Sequence, residues 1–125
     1  MVNKVIIATK KVKTITFDSF NEAIKSDFKA LCLKMNTNTG ISESLCLMPY
    51  SQFLQTDYWK FISNYKKHLA NRLCQHCRST KKLEVHHTTY AHLGYEYLHL
   101  SDLIVLCHKC HKKEHIRLRK AKKKQ

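Results

Sequence analysis

The sequence predicts a small α+β fold stapled by a metal ion, and three observations lead there. Short runs rich in β-branched residues alternate with stretches whose apolar residues recur at helical spacing. Four cysteines fall as two pairs, Cys74-x2-Cys77 and Cys107-x2-Cys110. At 125 residues the chain has room for one domain, or for a small domain with an appendage, and so modest a core gains from a cross-link. The expected division is an N-terminal α+β segment over residues 1–48, a metal-stapled domain with a lead-in helix over 49–118, and a basic tail over 119–125.

Residues 2–8 and 12–17 are rich in β-branched side chains and separated by lysines, which suggests a hairpin. Ser19-Phe20-Asn21-Glu22 then matches a capping box, with Phe20, Ile24, Phe28, Leu31 and Met35 at helical spacing. Asn36 to Gly40 should end that helix in a turn, residues 41–48 read as a further strand, and Pro49 marks a boundary. From Thr56 a second helix is expected, with Tyr58, Ile62, Tyr65 and Leu69 on one face and Trp59 and Phe61 flanking it. These aromatics fit a core better than a base-stacking surface. Residues 83–87 alternate as a strand, and residues 103–106 form a second that ends at Cys107. Residues 108–122 read as a helix whose apolar face is thin, with Ile116 and Leu118 its obvious members. Burial alone would hold such a helix poorly, so ligation at its start and phosphate contact along its length supply the reason for it.

Charge narrows the partners. Lys and Arg number 23 against 9 Asp and Glu, a formal net charge of +14. The excess is uneven, +3 over residues 1–48 and +11 over 49–125. Such a surplus favours a polyanion, because neutralising phosphates releases condensed counterions. No apolar run approaches the ~20 residues that span a bilayer. The first eight residues are too short for a secretory signal and run directly into lysines, so an intracellular, reducing compartment is expected.

In that setting, paired cysteines read as metal ligands. Each Cys-x2-Cys presents two thiolates from one tight turn, and two turns close a tetrahedral zinc site with no exchangeable position. Cys74, Cys77, Cys107 and Cys110 are therefore the expected structural zinc ligands. The 29 residues between the pairs argue against a redox motif in a βαβ unit. Cys32 and Cys46 lie outside the pairs and read as small buried apolar residues. His76 and His108, inside the pairs, are expected to be exposed or in contact with phosphate.

A histidine cluster accompanies the thiols. His86 and His87 are successive on a strand and so point to opposite faces; one can ligate a metal while the other acts as a base. His111 and His115, at i and i+4, share a helix face. Coincidence of four histidines with two thiolate pairs on the same elements is hard to credit as surface decoration.

With those residues in view, the chain resembles the HNH endonucleases. The matching text is Cys74-x2-Cys77, then Leu83-Glu84-Val85-His86-His87-Thr88-Thr89-Tyr90, Leu93-Gly94-Tyr95-Glu96, and Asp102-Leu103-Ile104-Val105-Leu106-Cys107-x2-Cys110-His111-x3-His115. It covers about residues 50–118, its lead-in helix being similar to that of many bacterial and phage members. The resemblance implies a ββα-metal (His-Me finger) nuclease domain in a bacterial or phage-infected cell. It implies that His86 and His111, with His115 as a third, hold one catalytic divalent ion, that His87 is the general base, and that Asp102 stands where the family has asparagine and orients that base. Tyr95 replaces an asparagine common in relatives and a few residues are added before Asp102, so the loop should differ in shape, and Glu96 is given no role.

The implied reaction is hydrolysis of DNA phosphodiester bonds. A neutral imidazole can take a proton from water near neutral pH, and a divalent ion (Mg²⁺, Mn²⁺, Ni²⁺ or Zn²⁺) would stabilise charge on the phosphate and leaving oxygens. Arg78, Lys81, Lys82, Arg117 and Arg119 are the expected phosphate contacts. The alternative is a catalytically silent, zinc-bound nucleic-acid-binding module on the same scaffold. A homing nuclease or a phage packaging accessory is a third role. Target sequence and oligomeric state are not legible.

Overall fold

A computed structural model describes residues 17–124. Among these the chain is five α-helices and one two-stranded antiparallel sheet: α1 (Phe17–Thr37), α2 (Gly40–Leu47), α3 (Tyr50–Phe53), α4 (Asp57–Leu69), β1 (Leu83–His87), β2 (Leu103–Cys107) and α5 (His108–Lys124), with two 3-10 turns, Glu96–Leu98 and Leu100–Asp102, leading into β2. The architecture is α+β, as expected. The expected hairpin over residues 2–8 and 12–17 lies outside the described residues except for Phe17, which opens α1. Ser19 is therefore inside that helix and not its cap.

Residues 41–48 correct the sequence reading: they form α2 and its C-cap, not a strand. Ser42 and Leu45 are buried while Leu47 is 83% exposed, a three-residue spacing that a strand could not place on one face. The described part of the N-terminal segment is thus wholly helical. Cys46 is exposed, against expectation, and Cys32 is half-buried against the core.

One apolar cluster joins Met35, Leu45, Phe53, Tyr58, Trp59, Ile62, Tyr97 and Leu103, so residues on both sides of Pro49 share a core. Phe28 stacks flat on Tyr65 at 4.1 Å and ties α1 to α4. Thr56 caps α4 by accepting the Trp59 N–H at 3.1 Å, with Asp57 in the first turn and Lys66, Lys67 and His68 in the last, which suits the helix dipole. Leu69, expected on the buried face, is 49% exposed.

The loop after β1 touches α2 at Gly94. Its φ is +88°, and a Cβ there would lie 2.6 Å from the Ser42 carbonyl oxygen, so only glycine fits both the turn and the approach. In the sheet His87 pairs with Leu103, His86 with Ile104 and Leu83 with Cys107. Alternation then sends Val85, His87, Leu103 and Val105 towards the helical core, and Glu84, His86, Ile104 and Leu106 to the opposite face. A second cluster, Cys74, Leu106 and Cys107 with Leu83, Ile104 and Cys110, sits at the cysteine end of the hairpin. Helix α5 continues through residues 119–124, and Ile116 and Leu118 are exposed, so little apolar burial holds it.

Candidate metal centres

The first cysteine turn docks on β2 through Gln75: its N–H donates to the Val105 carbonyl at 2.8 Å, and its side-chain oxygen accepts the Val105 N–H at 2.8 Å. The second turn begins where β2 passes into α5, and the His108 N–H bonds the Lys82 carbonyl at 3.0 Å. These bonds bring Cys74, Cys77, Cys107 and Cys110 together, with all four Sγ atoms within 4.8 Å of one another. Cys77 Sγ lies 3.6 Å from Cys107 Sγ. Four thiolates at ~2.3 Å from a tetrahedral zinc would be about 3.8 Å apart, so the set fits that ion.

Charge supports the same reading. Burial works to raise the Cys74 thiol, but N–H groups of Cys77, Cys107 and His76 outweigh it and bring the pKa down to about 6. Cys110 is pushed up to about 12, first by burial and then by its thiol neighbours. The Cys110 N–H holds the Cys107 thiol below its usual range as well, so two thiolates form easily and the last resists, which is what clustered sulfurs do until a cation joins them.

On the outer face of β1 a second group forms. His86 Nδ1 lies 3.1 Å from His111 Nε2, which in turn lies 3.0 Å from His115 Nε2. Nitrogens at ~2.0–2.1 Å from one ion sit roughly 3.0–3.4 Å apart, so this set also fits a metal. Glu84, two residues before His86 on the same face, fixes the tautomer. Its Oε1 accepts from His111 Nδ1 at 2.6 Å, which leaves the His111 Nε2 lone pair facing the other two rings. Glu84 Oε2 takes His108 Nδ1 at 3.0 Å, so His108 is exposed, as expected, but paired with a carboxylate. Burial works to raise the Glu84 carboxyl, yet the hydrogen bonds from His111 and His108 hold it below the usual carboxylate range. Burial first, then His111 and His115, lower the His86 pKa, so its ring is neutral and able to ligate near neutral pH. His86 is buried, His111 half-buried and His115 exposed, so the cluster opens towards solvent along α5.

His87 departs from expectation. It does point away from His86, but that face is the covered one, and its side chain is 1% exposed. Trp59 stacks on the ring at 4.7 Å and Tyr90 at 5.0 Å. Its Nε2 bonds Glu96 Oε2 at 2.9 Å, and its Nδ1 meets the Tyr50 hydroxyl at 3.2 Å. The expected Asp102–His87 pairing is replaced by Glu96. Asp102 instead takes His92 Nδ1 on Oδ2 at 2.6 Å, while its backbone carbonyl accepts both the N–H and the hydroxyl of Thr88. It ties the loop but does not orient His87. Glu96, 1% exposed, also accepts the Tyr58 hydroxyl and the Gly94 N–H, each at 2.9 Å.

Arg78, Lys81, Lys82, Arg117 and Arg119 are all exposed. Lys81 and Lys82 join Ser79, His108, Lys109 and Lys113 around a hollow beside the cysteine turns. Arg117 is not a free cation, because Glu114 accepts from it at 3.1 Å. Sequence reasoning missed Glu84, Glu96 and Tyr50. The i, i+2 spacing of Glu84 and His86 on a strand carried a readable hint for the first. No described helix is long and apolar enough to cross a membrane. No protein-family model matches the chain, and no curated protein or solved structure does either.

Proposed function

We propose that this protein is a metal-dependent DNA endonuclease of the HNH type, residues 49–118 forming the nuclease domain. The convergence of His86, His111 and His115 where β1 meets α5 carries the reading. Three neutral nitrogens leave an ion with positions for water and a phosphate oxygen, whereas the four-sulfur set leaves none. The division of labour is then a closed zinc staple, which fixes β2 and α5, beside an open divalent site. An ion there would polarise the scissile phosphate and the leaving oxygen. His86, His111 and His115 hold that ion, Glu84 aims His111, and Lys81, Lys82, Arg78 and Arg119 supply charge along the nucleic-acid backbone. His87 serves as the base through Nδ1, since Glu96 claims Nε2.

The enclosure of His87 favours a second reading, a zinc-bound nucleic-acid-binding module without catalysis. A supercoiled-plasmid assay across Mg²⁺, Mn²⁺, Ni²⁺ and Zn²⁺, with wild type and His87→Ala, separates the two. The nuclease reading expects cleavage by the wild type with at least one ion and at least ~100-fold less by His87→Ala at retained DNA binding. Binding without cleavage under every ion would establish the silent module, and full activity in His87→Ala would remove His87 as base.

A further inference from the structure

We propose that the Tyr50 hydroxyl is a catalytic group, the relay through which the enclosed His87 draws a proton from the attacking water; this rests on the nuclease reading above. The ring of His87 is enclosed, its side chain 1% exposed. Trp59 and Tyr90 stack on it, and Phe53 lies 6.2 Å away, centroid to centroid. Glu96 already accepts from the Tyr58 hydroxyl and the Gly94 N–H, which places it as an acceptor and assigns the hydrogen of the His87 contact to Nε2. In the neutral ring the lone pair is then on Nδ1, and the group placed there is the Tyr50 hydroxyl, 3.2 Å away. Tyr50 is itself 39% exposed, which makes it the member of the chain Glu96–His87–Tyr50 that meets solvent. Burial, then Tyr90 and Glu96, push the Tyr50 phenol well above its usual range, so it stays a hydroxyl able to donate.

The order is that of a carboxylate, an imidazole and a hydroxyl in line, with the carboxylate fixing the tautomer. As the water oxygen bonds to phosphorus, its O–H bond breaks and that proton passes to Tyr50 Oη. The Oη–H bond breaks in the same event and its proton bonds to His87 Nδ1. The P–O3′ bond breaks with its electron pair leaving on O3′, which takes a proton from solvent. Tyr50 ends as it began, and His87 carries the extra proton against Glu96.

Tyr50→Phe removes Oη and keeps the ring that packs on Phe53 at 5.9 Å and meets Tyr90 edge-on at 5.5 Å. The expected result is a fall in kcat of at least ~100-fold, the lower range for a positioned acid–base group, with KM for DNA and ion affinity within about threefold. Nitrogen-15 NMR of the wild type should show His87 protonated on Nε2 and bare on Nδ1, and the Nδ1 resonance should move in Tyr50→Phe. Activity within twofold of wild type, or a hydrogen found on Nδ1 of neutral His87, would overturn the relay and leave the nuclease standing. A wild type inactive with every divalent ion would remove the nuclease reading and the relay with it.

Discussion

Glu96→Ala tests how the buried side of the hairpin is held. Glu96 is 1% exposed and accepts three hydrogen bonds, from His87 Nε2, the Tyr58 hydroxyl and the Gly94 N–H, all at 2.9 Å. Truncation leaves the Gly94 N–H and the Tyr58 O–H buried without acceptors, since the Tyr97 N–H that Tyr58 accepts at 3.2 Å does not replace one, and strips His87 Nε2 of its partner. An abandoned buried donor costs about 1–3 kcal/mol, so the loss should be roughly 3–5 kcal/mol. For a chain of this size that is a fall in Tm on the order of 15 °C. Glu96→Gln gives a sharper comparison. Its amide oxygen still accepts from Tyr58 and Gly94, its NH₂ faces His87, and His87 can answer by moving its hydrogen to Nδ1, which the Tyr50 oxygen can accept. That variant should lose only about 1 kcal/mol. Thermal unfolding at saturating zinc reads both, the zinc being fixed because bound metal shifts Tm by mass action. Glu96→Ala melting within ~2 °C of wild type, or Glu96→Gln as damaging as Glu96→Ala, would refute the account of this network.

Gly94→Ala should cost about 2–4 kcal/mol, from a positive φ and a Cβ 2.6 Å from the Ser42 oxygen; a denaturant midpoint unchanged from wild type would contradict it. Chelating zinc, or Cys107→Ser, should melt the hairpin and α5, because structural zinc supplies ~10–16 kcal/mol against a domain stability of ~5–15 kcal/mol. Far-UV circular dichroism that keeps its native helix signal under chelation would show the staple dispensable. Glu84→Gln should weaken divalent-ion binding at the histidine cluster by about 10–100-fold while leaving the sulfur site loaded, as titration calorimetry on zinc-loaded protein would report. Equal affinity in the variant would remove Glu84 as the group that aims His111.

Much of the scaffold was legible because period and ligand chemistry agreed. Residues 83–87 and 103–107 alternate, they are bounded by turns, and the paired cysteines gather at one end of the hairpin. Helix α4 announced itself through Thr56 and an aromatic stripe. Residues 41–48 did not, since a short apolar run suits a strand or a helix and its local pattern does not decide between them. Among the site residues, spacing was enough to expect His86, His111 and His115 in one cluster, and the fold brings them together. Whether His87 faced solvent depended on what covers the inner face of β1, and Trp59, Tyr90 and Tyr50 reach it from distant parts of the chain. Glu96, not Asp102, meets His87 because the loop between the strands coils through two 3-10 turns, and that path is not written in any local pattern.

Titrating a divalent ion into zinc-loaded protein while following plasmid cleavage tests the central claim most directly. Cleavage should be absent with the sulfur site alone filled, should rise in step with occupancy of the histidine cluster, and should be lost in His86→Ala. No cleavage at full occupancy of that cluster, or equal cleavage by His86→Ala, would contradict it.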